Sequence, residues 1–210
     1  MRKYTTTLLL RRLLLWPLAM LSLVMNLYGQ EEEPLDPRLS WEMTETRWEL
    51  IEDYAGRFKI SAPGAFQKWT DTLRTAVGEL VQHVYYLQPN SEKAENEVYM
   101  VSYIDFPEGS LHHDSTELLV DFFAETLAGA ESNVRGELMF EREESLQGFP
   151  ARYWRIDYLN GRASIRTKAV VVANRYYSVQ TVTRRSYGIN HSTDRFVDSF
   201  RVFPPADGGD

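Results

Sequence analysis

An Asn-Gly pair at residues 160–161, set between two runs of alternating side chains, constrains this chain more than any other feature. Asn160 and Gly161 are the preferred occupants of a two-residue type I′ turn, because both positions need positive φ. With that turn in place Leu159 faces Arg162, and the register of the whole hairpin follows. Tyr158, Ile156 and Trp154 then share a face with Ala163, Ile165 and Thr167, and that face is expected to be core. The opposite, outer face sets Asp157 against Ser164, Arg155 against Arg166, and Tyr153 against Lys168. Two arginines directly opposed repel unless something neutralises them. Asp157 sits diagonally from Arg166, and Glu141 or Glu143 on the preceding strand offers further negative charge. The expectation is a solvated, charge-balanced face. Tyr153, Arg155, Arg166 and Lys168 are its candidates for holding an anion or an acidic partner.

The same alternation recurs along the rest of the chain. Strands are expected at 58–61, 68–75, 79–88, 98–106, 138–146, 151–159, 162–173 and 176–184, with 200–203 as a last short one. Breakers separate them: Ala62-Pro63-Gly64, Ala76-Val77-Gly78, Gln147 to Pro150 and Asn174-Arg175. A helix is expected from Ser115 to Ala128, where Leu118, Leu119, Phe122, Phe123 and Leu127 make an apolar stripe. Asp114 suits its N-cap, Glu117 completes a capping box, and Gly129 ends it. A shorter helix is expected over 192–199. The elements predict an α+β fold, with an antiparallel sheet of about six or seven strands flanked by helices.

The ends do not belong to that fold. Arg2, Lys3, Arg11 and Arg12 precede an apolar run from Leu13 to Met25, too short for the roughly 20 residues that span a bilayer. That pattern reads as a secretory signal peptide over residues 1–29, with cleavage expected after Gly29 and an uncleaved membrane anchor as the alternative. An acidic tether follows over 30–47, then one domain over 48–203 and a disordered tail over 204–210. Without the leader, 19 basic side chains face 30 acidic ones, a net charge of about −11. Such a charge disfavours nucleic acid and anionic membrane surfaces. No membrane span is expected after cleavage. The location expected is periplasmic or secreted.

Chemistry is sparse. The chain has no cysteine, which excludes disulfides, thiol nucleophiles and a lipid anchor attached through cysteine. No serine lies in a Gly-x-Ser-x-Gly turn, and the only histidines are His83, His112, His113 and His191. Acid pairs such as Glu52-Asp53 and Glu143-Glu144 point to opposite faces of a strand, which does not suit glycoside hydrolysis. His112 and His113, beside Asp114, are the metal-ligand candidates, and a site there needs a third ligand such as Glu117 or Glu108. The bland alternative is a loop before a capped helix. Tyr85-Tyr86, Tyr176-Tyr177 and Tyr153-Trp154 each put one ring on each sheet face, one of them core and its partner lining a groove or stiffening the sheet. No cofactor is expected, and no catalytic constellation is found.

The order of these elements, with "FKISAPG", "VYMVSYIDF", "LQGFPA", "NRYYSV" and "RFVDSF" at their places, resembles the PsbP/DcrB/LpqN-like superfamily over 54–203. The resemblance implies an antiparallel sheet sandwiched between helices. It also implies action through binding, for the superfamily offers no shared catalytic motif to carry over. An envelope or secreted protein is the expected partner, and a small-ligand or metal carrier with a groove between sheet and helix is the alternative.

Overall fold

The computed structural model describes residues 47–75, 77–91, 94–184 and 190–203. The expected leader, nearly all of the tether and the tail lie outside them. Seven strands form the main sheet: β3 (Gln67–Thr75), β4 (Gly78–Leu87), β5 (Val98–Asp105), β6 (Glu137–Leu146), β7 (Phe149–Tyr158), β8 (Ala163–Val172) and β9 (Arg175–Arg184). Their order is β3-β4-β5-β9-β8-β7-β6, antiparallel throughout. A second sheet of three strands, β1 (Glu49–Asp53), β2 (Phe58–Ala62) and β10 (Arg201–Val202), has the order β1-β2-β10.

The hairpin has the expected register, from Tyr158 opposite Ala163 through Arg155 opposite Arg166 to Tyr153 opposite Lys168. Its turn is more strained than a two-residue turn requires, since Leu159 joins Asn160 and Gly161 at positive φ. Arg162 N–H still donates to Leu159 O at 3.3 Å.

Helix α1 (Thr116–Val134) covers one face of the main sheet through Leu119, Phe122, Phe123 and Leu127, packed with Trp154, Ile156, Ala169 and Val171. Two expectations about its ends fail. Ser115, with no side-chain cap, occupies the N-cap, because the Asp114 carboxylate faces His112 and His113 instead. Gly129 does not stop the helix. Ala130 and Val134 carry the apolar stripe further into the core, which outweighs the roughly 1 kcal/mol that an interior glycine costs. The left-handed stop is Arg135 (φ 49), and Gly136 N–H donates to Glu131 O at 3.0 Å. Gly136 is needed for approach: a Cβ there would meet Asp157 O at 2.8 Å.

The other face of the main sheet was expected to be solvated around the hairpin, but it too is covered. Helix α2 (His191–Ser199) and the three-stranded sheet lie over it, burying Phe58, Ile60, Tyr85, Val101, Tyr103, Tyr153, Tyr177, Phe196 and Phe200 in one core. Both members of each tyrosine-bearing pair are therefore packed, because the sheet is the middle layer of three. The start of α2 is fixed by a buried polar hub. Asn96 Oδ1 accepts from Thr183 Oγ1 at 2.6 Å, Asn190 Nδ2 at 2.7 Å and Thr193 Oγ1 at 2.9 Å. Asn190 caps the helix, its side chain accepting from Thr193 N–H at 2.8 Å.

Candidate functional site

Alternation along β7 and β8 does bring Tyr153, Arg155, Arg166 and Lys168 onto one face, and α2 packs beside them. Arg155 makes a two-pronged bond to Asp157, Nε at 2.6 Å and Nη2 at 3.0 Å. Arg166 Nη1 lies 3.3 Å from Asp194 on α2. Lys168, 8% exposed, sits 3.2 Å from Glu144 and 3.5 Å from Asp198. Tyr153 is buried under Arg142, whose guanidinium lies 4.7 Å from the ring centre. Burial pushes the Tyr153 phenol up, with the Arg166 charge opposing.

The neutralising acids differ from those anticipated. Asp157 takes Arg155 on its own strand rather than Arg166 across the diagonal. Glu141 and Glu143 project from the other face, where they meet Arg152. The charge for Arg166 comes from α2 and that for Lys168 from α2 and β6, elements outside the hairpin that no periodicity within it can report. The predicted group is thus the seat of a helix. Of its members, only Arg166 relies on an exposed carboxylate alone, for Lys168 meets the exposed Asp198 but also keeps the largely buried Glu144.

His112, His113 and Asp114 hold three potential ligand atoms within 4.8 Å of one another. His113 Nε2 is 3.3 Å from Asp114 Oδ1, and His112 Nδ1 is 3.5 Å from Asp114 Oδ2. The other nitrogen of His113 decides against a good metal ligand. Its Nδ1 accepts the Ala173 backbone N–H at 3.1 Å, which leaves the proton of a neutral ring on Nε2, the atom that would face the ion. Metal-bound histidines show the reverse, donating their second N–H to an acceptor. His113 N–H also donates to Ala173 O at 3.0 Å, so the residue ties the β8–β9 turn to the entry of α1.

A third group, missed in the sequence, joins the two sheets. Arg175, 7% exposed, binds Asp105 through Nε at 2.6 Å and Nη2 at 2.7 Å, and its Nη1 donates to Ala55 O at 3.0 Å. Its guanidinium lies 4.3 Å from the Tyr103 ring centre, and His83 stacks on that ring at 4.4 Å and 11°. Next to them Lys68 Nζ donates to Asp53 Oδ2 at 2.7 Å. Burial alone would raise the Asp53 carboxyl. The bonds from Lys68, Gly56 N–H and Tyr85 outweigh it and hold the group below its ordinary value. Burial and that contact with Asp53 push the Tyr85 phenol up strongly. Beside this network Lys68, Trp69, Thr70, His83, Val84 and Tyr85 line a shallow depression of about 230 Å³.

The chain is similar to the solution structure of cyanobacterial PsbP (CyanoP) from Synechocystis, with 10% identity and a TM-score of 0.49 over 77% of this chain and 96% of that one. No family model matches the chain, and no curated protein matches it. At one identical residue in ten, no side chain can be carried over. Among the described residues, no helix is long and apolar enough to cross a membrane.

Proposed function

We propose that this chain is an exported, non-catalytic interaction domain of the cell envelope or secreted fraction. The observation that most supports this reading is how its reactive side chains are used. Arg155, Arg166, Lys168 and Arg175 each meet a carboxylate of the same chain, Asp53 meets Lys68, and His113 is bonded to backbone. Groups so engaged hold layers together, and a substrate would have to break the fold's own bonds to reach them. Arg166 is the exception within the predicted face. An acidic partner there has only to replace Asp194, a well-exposed carboxylate, so Tyr153, Arg155, Arg166 and Lys168 serve a partner chiefly through Arg166.

The depression beside His83 and Lys68 favours one other reading, a carrier of a small ligand. Native mass spectra of the chain recovered from the exported fraction, taken before and after denaturation, separate the two. The interaction reading expects an apo mass, with a defined protein captured by cross-linking in the native compartment. A stoichiometric small mass that leaves on denaturation overturns it in favour of the carrier.

A further inference from the structure

The outer face of the three-stranded sheet differs from every surface described so far. Strand β2 alternates strictly, with Phe58, Ile60 and Ala62 buried and Lys59 and Ser61 turned outward. Lys59 pairs directly with Arg201 of β10, so two cations stand opposite one another. Neither has a carboxylate within 4.0 Å among the described residues. Glu52, on the other side of Lys59 in β1, instead accepts a hydrogen bond from Tyr54 OH at 3.1 Å. Arg201 turns its Nη1 to two backbone carbonyls, Asp198 O and Phe200 O.

Apolar surface collects around these cations. Leu50 and Tyr54, at 59% and 77%, are the two most exposed of the large hydrophobic side chains described. Tyr54 stacks on Phe203 at 5.9 Å and 18°, and Lys59 Nζ lies 5.9 Å from the Phe203 ring centre. The stacked rings, Leu50 and the two cations share this face with one carboxylate, Glu52, which stands opposite Lys59 but pairs with Tyr54. Exposed apolar area of this kind marks a site of association.

We infer that this face is the docking surface for an acidic, aromatic-bearing stretch of a partner protein. The inference rests on the interaction reading above and gives it a place. Charge complementarity selects the occupant. Once the leader is removed the chain carries about −11, so an acidic partner is repelled by most of the surface and drawn to a face where Lys59 and Arg201, among the described residues, make no ion pair. Carboxylates of the partner sit between Lys59 and Arg201, and its ring or aliphatic side chain covers Tyr54, Phe203 and Leu50. An anionic lipid surface would use the same cations, but it would have to overcome the net charge of the whole domain.

The test titrates the isotope-labelled mature chain with a synthetic peptide of glutamate and tyrosine, and separately with vesicles of equal phosphatidylglycerol and phosphatidylcholine. Amide shifts are expected at Lys59, Ser61 and Arg201. Affinity for the peptide should fall at least tenfold in the double variant Lys59→Glu, Arg201→Glu. Lys59 is half-buried and Arg201 bonds two backbone carbonyls, so the neutral pair Lys59→Gln, Arg201→Gln is titrated beside it, and a loss of affinity counts only in a variant whose amide spectrum stays folded. Shifts confined to β7 and β8, affinity unchanged in the double variant, or binding to vesicles and not peptide each overturn the proposal. Cross-linking in the native compartment separates the two levels of the argument. Equal capture of one partner by wild type and double variant sinks this face and spares the interaction reading, whereas no capture by either sinks both.

Discussion

Arg155 opposite Arg166 and Lys59 opposite Arg201 are the same device in two sheets: a pair of cations facing each other across antiparallel strands. Like charges so placed are unfavourable in either sheet. Their fates diverge because of what lies above them. Over the first pair the chain packs α2, and Asp157 and Asp194 supply the missing charge. The second has no ion pair among the described residues: Lys59 lies beside the Phe203 ring, and Glu52, opposite it in β1, is engaged with Tyr54. A cross-strand pair of cations is therefore no signature of a site in itself. Its meaning is set by the next layer of the fold.

That contrast can be broken from the covering side. Phe196, fully buried in α2 against Tyr99 and Phe66, anchors the lid of the first pair. Phe196→Ala should cost about 3–5 kcal/mol in urea unfolding, as large aromatic truncations in cores do. A loss below about 1 kcal/mol would mean that α2 is not held as described. The joint between the two sheets gives a pH-dependent version. Because the folded Asp53 carboxyl titrates below its unfolded value, it adds stability above the unfolded value and loses it as pH falls through the folded one. Asp53→Asn should be clearly less stable than wild type at neutral pH, and the gap should close in acid. A gap that persists at low pH would show that packing, not charge, is what Asp53 contributes.

The two cation pairs can then be compared directly. Arg155→Ala with Arg166→Ala should cost about 1 kcal/mol, the scale of partly exposed ion pairs. Lys59→Ala with Arg201→Ala should stay within about 0.5 kcal/mol of wild type. Equal losses would erase the distinction. The smallest effect expected is that of zinc: with His113 Nδ1 held by the Ala173 N–H, stoichiometric Zn2+ should leave the melting temperature where it is. A rise of several degrees would show that the ring turns over to bind metal.

What the sequence could show divides along the same line. Alternation and the Asn160-Gly161 turn place β7 and β8 residue for residue, because pairing in a hairpin is local. The stripe of Leu119, Phe122, Phe123 and Leu127 likewise places α1. Cover is not local. Lys168 has the composition of a surface residue, yet it is buried because Glu144 and Asp198, from two other elements, meet it there. The network around Arg175 was hidden for the same reason, since Asp105 and Ala55 lie 70 and 120 residues away in the chain. Strand β1, Glu49–Asp53, shows no clean alternation, and only pairing with β2 makes it a strand.

The Asn96 hub has a consequence for the order in which the molecule is completed. Its acceptor oxygen waits for Asn190, 94 residues further along, before the cap of α2 can form. Tyr85 of β4 already has Phe58 and Phe66 from earlier in the chain, but Tyr99 of β5 takes its edge contact from Phe196, in an element from the far end. A chain cut short before residue 190 lacks both the amide that meets Asn96 and the ring that meets Tyr99.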